Sequence, residues 1–423
     1  MGEALALARS ADAGSMIRAQ LAGAPAAILV QASSRSWAGA ANLCMRKLDG
    51  KPIFLHTLER LRNLFPRAVI RVVAPEFDRG GLDFAANAIG DCEVQYSFDD
   101  NPLQRMIAAV RELADDAIVL RLDGLHCFFH EAVIVGLLDT IEEEALDFVK
   151  SPDDFPPTLT GEAWRAGGLR RFAAMLAQWP KDRAAPHCVH PKFLAMRKES
   201  GLRVRMVTPP AIADEYLTQA RRRLTPALDH DFLEVTRKLI PAGDQLSFHY
   251  VLASRHLKPT DRVLDIASGQ GYGGNIMAQT ARYVTCADLD TAKLEAGRTL
   301  FPRDNLGFSA QDVMAMRFPD GVFDVVVSME TIEHMEDVDG YLCELKRVLA
   351  PGGLAILSTP QNSLGHIPLT PAHLREFSLD ALKACCGCHF TIEKIVGLKA
   401  GTIYFDDDPV GSNTMMFLRK RER

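Results

Sequence analysis

The segment VLDIASGQGYG, residues 263–273, constrains the fold more than any other part of the chain. A short apolar run ends at Asp265 and Ile266, and glycine then occupies alternate positions, at Gly269, Gly271 and Gly273. Glycine lets the backbone bend sharply and lets a ligand approach without interference from a Cβ atom. The segment therefore predicts a buried strand, a ligand-binding turn and the start of a helix.

The acidic residue in this turn indicates what kind of ligand to expect. Dinucleotide sites use similar glycine loops, but here Asp265 precedes the glycines and would repel a pyrophosphate. A carboxylate at that point suits a ligand that carries an ammonium and a sulfonium group. Asp288 closes the next predicted strand, about 20 residues later, where a carboxylate can accept hydrogen bonds from ribose hydroxyls. Asp312 follows the third strand and is placed to bond an adenine amino group.

Around this turn, strands and helices alternate along the C-terminal half of the chain. We predict strands at 262–266, 283–287, 323–328, 354–358 and 415–418, and helices at 274–280, 292–300, 337–349 and 379–386. The same alternation predicts, in the N-terminal half, strands at 26–30, 68–73 and 117–122, and helices at 52–64, 102–113 and 164–179. This pattern is typical of α/β folds with parallel, doubly wound sheets.

Length agrees with a chain of more than one domain. The 423 residues correspond to two or three domains of average size. Prolines punctuate the middle of the chain, and we place the boundary near residue 230, in 226–231. The predicted organisation is an N-terminal extension over 1–24, one α/β domain over 25–228 and a second over 229–423.

Composition and charge exclude several classes of protein. The net charge of −6 argues against a protein that binds nucleic acid by neutralising phosphates. The nine cysteines lie mostly as single residues in apolar runs, which suits a reducing compartment.

The cluster CCGCH at 385–389 resembles a metal or redox site, but it has only one C-x-x-C pair and lacks a second ligand pair at zinc spacing. We expect a helix that ends at Gly387 instead. The N-terminus lacks the pattern of a signal peptide, and no apolar run reaches the ~18 residues of a membrane span, so we expect a cytoplasmic protein.

The C-terminal motifs together resemble those of class I S-adenosylmethionine-dependent methyltransferases of the type that includes ubiquinone biosynthesis enzymes. The resemblance covers about residues 245–420 and implies a Rossmann-like fold with S-adenosyl-L-methionine as the cofactor. It implies that Asp265, Gly269 and Gly271 hold the methionine end, Asp288 the ribose and Asp312 the adenine. The full set of cofactor-binding residues that we infer from it is Asp265, Ala267, Gly269, Gly271, Asp288, Leu289, Gln311, Asp312, Val313 and Met329. His249 and Tyr250 match a segment that often covers the cofactor.

A second motif, Glu330-Thr-Ile-Glu333-His334, follows the fourth strand of this domain. On a helical turn, positions i, i+3 and i+4 share one face, so two carboxylates and an imidazole can meet a divalent ion there. His373 is a candidate fourth ligand. The pattern resembles ubiquinone-biosynthesis O-methyltransferases and small-RNA 2′-O-methyltransferases, which implies metal-assisted methylation of a hydroxyl, with Mg²⁺ or Zn²⁺.

Two alternatives to a metal site remain open at this motif. Without an ion, His334 or His373 can serve as the general base, because an imidazole titrates near neutral pH. The histidines can also have only a packing or capping role. The catalytic candidates are Glu330, His334 and His373, and the metal candidates are Glu330, Glu333, His334 and His373.

The N-terminal half resembles nucleotidyltransferases of the CMP-sugar synthetase and spore-coat polysaccharide type. The resemblance rests on 28–32, 48–62, 99–103 and 118–124, and implies a nucleotidyltransferase-like (GT-A-like) fold. Two departures argue against the chemistry. The nucleotide loop has Ser-Trp-Ala-Gly-Ala at 36–40 with only Arg35 as a nearby cation, and the metal-binding Gly-Asp is replaced by Gly124-Leu125. We expect a non-catalytic relative.

The sequence as a whole predicts an enzyme that methylates a small molecule on oxygen. A sugar or polysaccharide precursor, such as a nucleotide-sugar, is the preferred acceptor, because relatives of the N-terminal half handle activated sugars. The alternatives are a bifunctional nucleotidyltransferase/methyltransferase and an N-terminal scaffold that binds nucleotide-sugars. No nucleic-acid partner and no membrane span are expected. The acceptor and the oligomeric state do not follow from the sequence.

Overall fold

The computed structural model describes residues 24–34, 43–235, 245–365, 367–368, 370, 372–400 and 402–421. The chain divides into two compact units, Met1–Ala227 and Leu228–Arg423. The predicted extension over 1–24, apart from its last residue, and the loop at 35–40 lie outside the described residues.

Unit 1 is built on a seven-stranded mixed sheet with a separate two-stranded ribbon. Its strands are β1 (Ala27–Gln31), β2 (Lys47–Leu48), β3 (Lys51–Pro52), β4 (Val69–Ala74), β5 (Cys92–Tyr96), β6 (Ile118–Asp123), β7 (Phe148–Lys150), β8 (Glu162–Arg165) and β9 (Val204–Met206). Its helices are α1 (Ile53–Leu64), α2 (Phe84–Ile89), α3 (Pro102–Ala109), α4 (Glu131–Glu143), α5 (Ala166–Leu176), α6 (Lys181–Val189), α7 (Pro191–Ala195) and α8 (Asp214–Val235). The sheet order is β5-β4-β1-β6-β8-β7-β9, and β8 runs antiparallel to both of its neighbours.

Helices cover both faces of this sheet because side chains alternate along each strand. In β1 the side chains of Ile28 and Val30 join one hydrophobic core, while Leu29 joins the other. Strand β1 pairs in parallel with β4 on one side and β6 on the other. Its carboxyl end therefore lies where the strand order reverses, which is where open α/β sheets form a crevice.

Unit 2 contains the predicted Rossmann-like elements. Its strands are β10 (Arg262–Ile266), β11 (Tyr283–Asp288), β12 (Leu306–Ala310), β13 (Phe323–Met329), β14 (Leu349–Pro360), β15 (Thr391–Leu398) and β16 (Asn413–Arg419). Its helices are α9 (Gln245–Ser254), α10 (Tyr272–Met277), α11 (Thr291–Leu300), α12 (Val338–Val348) and α13 (Leu379–His389). A single 3₁₀ turn, Ile332–His334, follows β13.

The strand order of unit 2 places three strand ends side by side. The order is β12-β11-β10-β13-β14-β16-β15, with β10 central and parallel to both β11 and β13. Strand β16 is antiparallel to β14 and to β15. Val263 and Leu264 of β10 point into separate cores on the two faces of the sheet. The residues that follow β10, β11 and β13 consequently share one edge of the sheet.

Several local expectations were wrong. Both sheets are mixed rather than wholly parallel. Trp164 lies in β8, not in a helix, because its indole stacks on Phe148 in the core. Helix α13 continues through Gly387 to His389. The division of the chain after Ala227 falls within the predicted boundary at 226–231, although helix α8 runs through that stretch. Strand β15 was not predicted.

Candidate functional site

The turn between β10 and α10 holds three residues in the left-handed conformation, at alternate positions. The φ angles are +58° at Ala267, +55° at Gly269 and +78° at Gly271. Only glycine adopts this region without steric cost, so Ala267 carries backbone strain that its neighbours avoid. The loop thereby turns its backbone toward the sheet edge.

Two of the glycines in this turn are required by packing. A Cβ atom on Gly271 would lie 2.6 Å from Cε1 of Phe308, and one on Gly273 would lie 2.2 Å from the ring of Tyr250. A Cβ atom on Gly269, in contrast, would meet no atom within 4 Å. Gly269 therefore borders open space, which is the place for a ligand close to the backbone.

Asp265 lies at the end of β10 and is completely buried. The hydroxyl of Tyr250 donates to its Oδ1 atom over 3.2 Å. Burial raises the pKa of Asp265 to about 8, so without a cationic partner the carboxyl group is mainly protonated at neutral pH. A bound ammonium group would favour the ionised form, as expected of a residue at the methionine end of the cofactor.

Asp288, at the end of β11, forms hydrogen bonds with residues that follow both neighbouring strands, β10 and β12. Its Oδ2 accepts the N–H of Gly269 at 2.8 Å, and its Oδ1 accepts the N–H of Asp290 at 2.8 Å. Its backbone carbonyl accepts the N–H of Gln311, just after β12. These bonds orient the carboxylate while leaving lone pairs for the two hydroxyls of a ribose. The next side chain, Leu289, is 74% exposed and offers an apolar surface beside the carboxylate.

The residues predicted to bind the adenine differ in how exposed their side chains are. Asp312 is exposed, and its Oδ1 accepts the N–H of Met314. The amide of Gln311 is buried, donates to Ser309 and accepts the N–H of Arg317. Val313 packs against one hydrophobic core of unit 2, and Met329 is buried within the other. Asp312 is thus the member of this set with an accessible side chain.

Glu330 begins the second motif in a strained conformation. Its φ is +50°, and its N–H donates to the carbonyl of Ser358 at 3.0 Å. The hydroxyl of Ser358 donates to Oε1 at 2.6 Å, and the amide of Asn413 donates to both carboxylate oxygens at 3.0 and 2.9 Å. His249 lies 3.2 Å from the same hydroxyl, through Nδ1. These bonds hold Glu330 toward β14 and β16.

Glu333 is a buried carboxyl group with an incomplete set of partners. The hydroxyl of Thr359 donates to its Oε2 at 2.9 Å, while Oε1 has no hydrogen-bond partner. Burial, reinforced by the charge of Glu330, raises the pKa of Glu333 to about 9. An unpartnered, buried carboxyl oxygen is costly, and a cation is a natural partner for it.

The two candidate histidines stand face to edge beside Glu333. The ring centroids of His334 and His373 are 5.2 Å apart, with an interplanar angle of 76°. Nδ1 of His334 lies 3.0 Å from the carbonyl of Ala372, and Nδ1 of His373 lies 2.7 Å from Oε1 of Glu376. Because each Nδ1 faces an acceptor oxygen, the neutral form of each ring carries its proton on Nδ1 and its lone pair on Nε2. Nε2 of His334 is 4.0 Å from the unpartnered oxygen of Glu333.

These residues fit a divalent ion, with one change from the predicted set. Glu333, His334 and His373 each place a ligand atom within 4.8 Å of the others, and Glu330 lies outside this group. The expected helical face does not form, because the 3₁₀ turn covers only Ile332–His334 and Glu330 has a left-handed backbone conformation. Two imidazole nitrogens and one carboxylate oxygen suit a borderline ion such as Zn²⁺ better than Mg²⁺.

Sequence reasoning missed the residues that support this group. Glu376 is bonded through its second oxygen to the amide of Asn362 at 2.7 Å, and Thr359 and Asn413 were also not foreseen. The spacing His373-x-x-Glu376 was a visible signal for the first of them. Metal-ligating histidines usually donate their other N–H to such a carboxylate.

Unit 1 has a charged cluster at the carboxyl ends of β1 and β6. Arg121 donates to Gln31 and, at 2.8 Å, to Glu162. Burial alone would raise the pKa of Glu162, but Arg121 and Lys192 outweigh it and hold this pKa at about 2. Asp123 ends β6 and accepts the N–H of Leu125, the residue that replaces the expected second carboxylate. The cluster's cations are thus already paired with carboxylates of this unit.

Comparison with known proteins assigns the class of unit 2. Residues 264–357 match the family model described as "Methyltransferase domain". With the strand order above, this makes unit 2 a methyltransferase domain of the α/β, Rossmann-like type, and the prediction of an enzyme is confirmed for this domain. The N-terminal unit has no such assignment from this match.

Two curated relatives are similar to part of this chain, and the first of them is named as an S-adenosylmethionine-dependent enzyme. A probable S-adenosylmethionine-dependent methyltransferase of Mycolicibacterium smegmatis is 35% identical over 146 residues, 33% of this chain and 55% of the relative. The ubiquinone/menaquinone biosynthesis C-methyltransferase UbiE of Teredinibacter turnerae is 36% identical over 121 residues, 26% of this chain and 47% of the relative. The chain thus spans about half the length of these curated relatives.

Solved structures have lower sequence identity to this chain. YcgJ of Bacillus subtilis is 16% identical, with a TM-score of 0.33, and covers 41% of this chain and 99% of its own. An S-adenosylmethionine-dependent methyltransferase of Mesorhizobium loti is 18% identical, with a TM-score of 0.35, and covers 42% and 100%. TM-scores this low add nothing to the assignment from sequence and strand order.

Proposed function

We propose that this protein transfers the methyl group of S-adenosylmethionine to a hydroxyl oxygen of a small molecule. The observation that carries the proposal is the position of two chemically different groups at one sheet edge. Asp288, held by the N–H of Gly269, ends β11, and Glu333, His334 and His373 cluster just after β13. Strand β10 lies between these two strands.

The donor side follows from the contacts around the glycine turn. Asp288 accepts the ribose hydroxyls, since its orientation is already set by two backbone N–H groups. Asp265 stabilises the ammonium group of the methionine end, which offsets the cost of ionising a buried carboxyl. Leu289 and Asp312 would hold the adenine, the first by apolar contact and the second by accepting a hydrogen bond from its amino group.

The acceptor side consists of groups that can hold and deprotonate a hydroxyl. Glu333, His334 and His373 would hold a divalent ion, and an ion bound there lowers the pKa of a hydroxyl that reaches it. In its absence, Nε2 of His334 or His373 can take the proton. Most of the rate comes from placing the oxygen in line with the methyl group.

Helix α9 connects the two sides. Its adjacent residues His249 and Tyr250 contact Ser358 and Asp265 respectively. Ser358 in turn holds Glu330. We propose that this arrangement fixes the distance between donor and acceptor, with Glu330 bordering the acceptor through its partly exposed carboxylate.

We propose a sugar or nucleotide-sugar as the acceptor, by analogy with the resemblance of unit 1 to nucleotidyltransferases. Unit 1 then serves as a non-catalytic binding domain or scaffold. A carbon acceptor is the alternative, because the T. turnerae relative is named as a C-methyltransferase.

We also propose that the protein is cytoplasmic, which is supported by the nine cysteines, all of them unpaired. None of the described helices is long and apolar enough to cross a membrane.

Calorimetry with S-adenosylmethionine tests the donor site. Asp288→Ala is expected to weaken binding by about 1–3 kcal/mol through its lost charged hydrogen bonds. Glu295→Ala, which removes a 77% exposed carboxylate from α11, is the matched control and should bind normally. Equal affinity in both variants would show that Asp288 does not hold the ribose.

Transfer from a labelled donor to a panel of acceptors tests the reaction. The panel contains nucleotide-sugars, free sugars and quinol precursors, and the position of the label in the product separates oxygen from carbon methylation. Incubation with CTP and a sugar tests unit 1 separately. Release of pyrophosphate would replace the scaffold proposal with a bifunctional enzyme.

A further inference from the structure

A second cluster of reactive groups lies on the surface of unit 2, on helices α12 and α13. Asp339 and Cys343 are four residues apart on α12 and so share one face of that helix. His389, the last residue of α13, approaches both of them. None of these three residues belongs to the proposed methyl-transfer site. His389 is the last residue of the CCGCH motif at 385–389.

The three side chains form a linear chain of hydrogen bonds. Sγ of Cys343 is 3.7 Å from Nδ1 of His389, and Nε2 of the same ring is 2.7 Å from Oδ1 of Asp339. The imidazole therefore joins a thiol and a carboxylate through its two opposite nitrogens. A nucleophile, a base and a group that orients the base in this connectivity are the geometric signature of an activated nucleophile.

The carboxylate decides which nitrogen carries the proton. Asp339 accepts only from an N–H group, which places the proton on Nε2 and the lone pair on Nδ1, facing Cys343. With this orientation, Nδ1 of His389 can accept the thiol proton of Cys343.

We propose that Cys343 is a reactive thiol that forms a mixed disulfide with low-molecular-weight disulfides. The S–H proton moves to Nδ1 of His389, and the thiolate attacks one sulfur of the disulfide. A new S–S bond forms to Cys343 as the bond within the reagent breaks. The departing thiolate takes the proton back from His389, and the disulfide is the oxidant.

Accessibility supports Cys343 over the other cysteines. Cys343 and Cys388 are exposed, whereas Cys44, Cys92, Cys127, Cys286 and Cys386 are buried and Cys188 and Cys385 are half-buried. The thiol of Cys388 donates to the carbonyl of Ala384 in its own helix, at 3.3 Å. Cys388 is therefore a matched internal control, because it is also exposed but is bonded to a carbonyl rather than to an imidazole.

The experiment uses the full-length protein, reduced and treated with a chelator so that no bound ion covers the thiols. Glutathione disulfide is the probe, and mass spectrometry of peptides gives the modification rate at each cysteine. We expect Cys343 to react about tenfold faster than Cys388, because the neighbouring imidazole can accept the thiol proton as the sulfur attacks. His389→Gln should bring Cys343 to the rate of Cys388, and Asp339→Asn should lower it partly.

Two results would overturn the proposal. Equal rates at Cys343 and Cys388 in the wild-type protein would show that the imidazole does not activate the thiol. The same conclusion would follow if Cys343 kept its modification rate in the His389→Gln variant. It would also follow if the modification rates of Cys343 and Cys388 changed by the same factor in that variant. Asp339 is 78% exposed, so Asp339→Asn keeps the test valid if His389→Gln does not fold.

Discussion

Oε1 of Glu376 lies 2.7 Å from Nδ1 of His373, and the carboxylate is itself held by the amide of Asn362. This pair fixes the orientation of the His373 ring and its tautomer, and directs Nε2 toward Glu333 and His334. Glu376 itself lies outside the group formed by Glu333, His334 and His373. It is a positioning residue whose effect passes through His373.

Replacing Glu376 should therefore weaken ion binding. We expect Glu376→Ala to lower the affinity for Zn²⁺ about 10–100-fold, the usual cost of losing such a partner, as measured by competition with a chromophoric chelator. Glu376→Gln keeps an acceptor and should restore part of the affinity. Asp380→Asn, at a 96% exposed carboxylate nearby, is the control. An unchanged affinity in Glu376→Ala would remove Glu376 from this role.

Ion binding should also release a proton from Glu333. Burial raises the pKa of this carboxyl to about 9, so it is protonated at pH 7 in the ion-free protein and must ionise to become a ligand. Burial lowers the pKa of His334, so this ring is already neutral and releases none. Calorimetry of Zn²⁺ binding in buffers of different ionisation enthalpy should show about one proton released. Glu333→Gln should abolish it; the same release in the variant would contradict the assignment.

The two glycines of the β10–α10 turn should differ when replaced by alanine. Gly271→Ala places a Cβ atom 2.6 Å from Phe308 at a φ of +78°, so we expect a loss of about 1–3 kcal/mol in the free energy of unfolding. Gly269→Ala meets open space and carries only the strain of its left-handed backbone, about 1–2 kcal/mol. Its main effect should be on the affinity for S-adenosylmethionine. Thermal unfolding with and without S-adenosylmethionine separates a loss of stability from a loss of affinity. If the ligand stabilised both variants equally, the expected difference between Gly269 and Gly271 would be contradicted.

Unit 1 should lose stability as the pH falls from 6.5 to 4. Burial lowers the pKa of His126 and of His190 to about 4, below the ordinary value near 6.5. The unfolded chain therefore binds protons in this window that the folded unit does not, so stability is full above pH 6.5 and falls toward pH 4. Denaturant unfolding of the full chain at several pH values measures how the free energy of unfolding depends on pH. In His126→Asn this dependence should correspond to about one proton fewer taken up on unfolding. An unchanged pH dependence would show that His126 is not responsible.

Much of the donor site could be predicted from the sequence because its residues follow strand ends. Asp265, Gly269 and Gly271 lie in one continuous segment, and their conformation depends on local backbone preferences that glycine makes visible. Asp288 could be placed because the alternation of strands and helices positions the end of β11 beside β10. These features need only local structure and a parallel sheet.

The acceptor side could be predicted only in part. Spacing alone put Glu330, Glu333 and His334 on one helical face, but the positive φ at Glu330 turns its carboxylate toward Ser358 and Asn413. That conformation is held by bonds to β14 and β16, which are distant in sequence. Charge and spacing do not show such long-range bonds.

The sequence by itself thus determined the α/β class, the glycine turn and the carboxylates at the ends of β10 and β11. Tertiary structure alone decided that Glu333, rather than Glu330, joins His334 and His373, and that His389 meets Cys343 and Asp339. The physical reason is that strand ends are set by local periodicity. Side-chain clusters depend on which distant elements pack together and on the hydrogen bonds that orient each group.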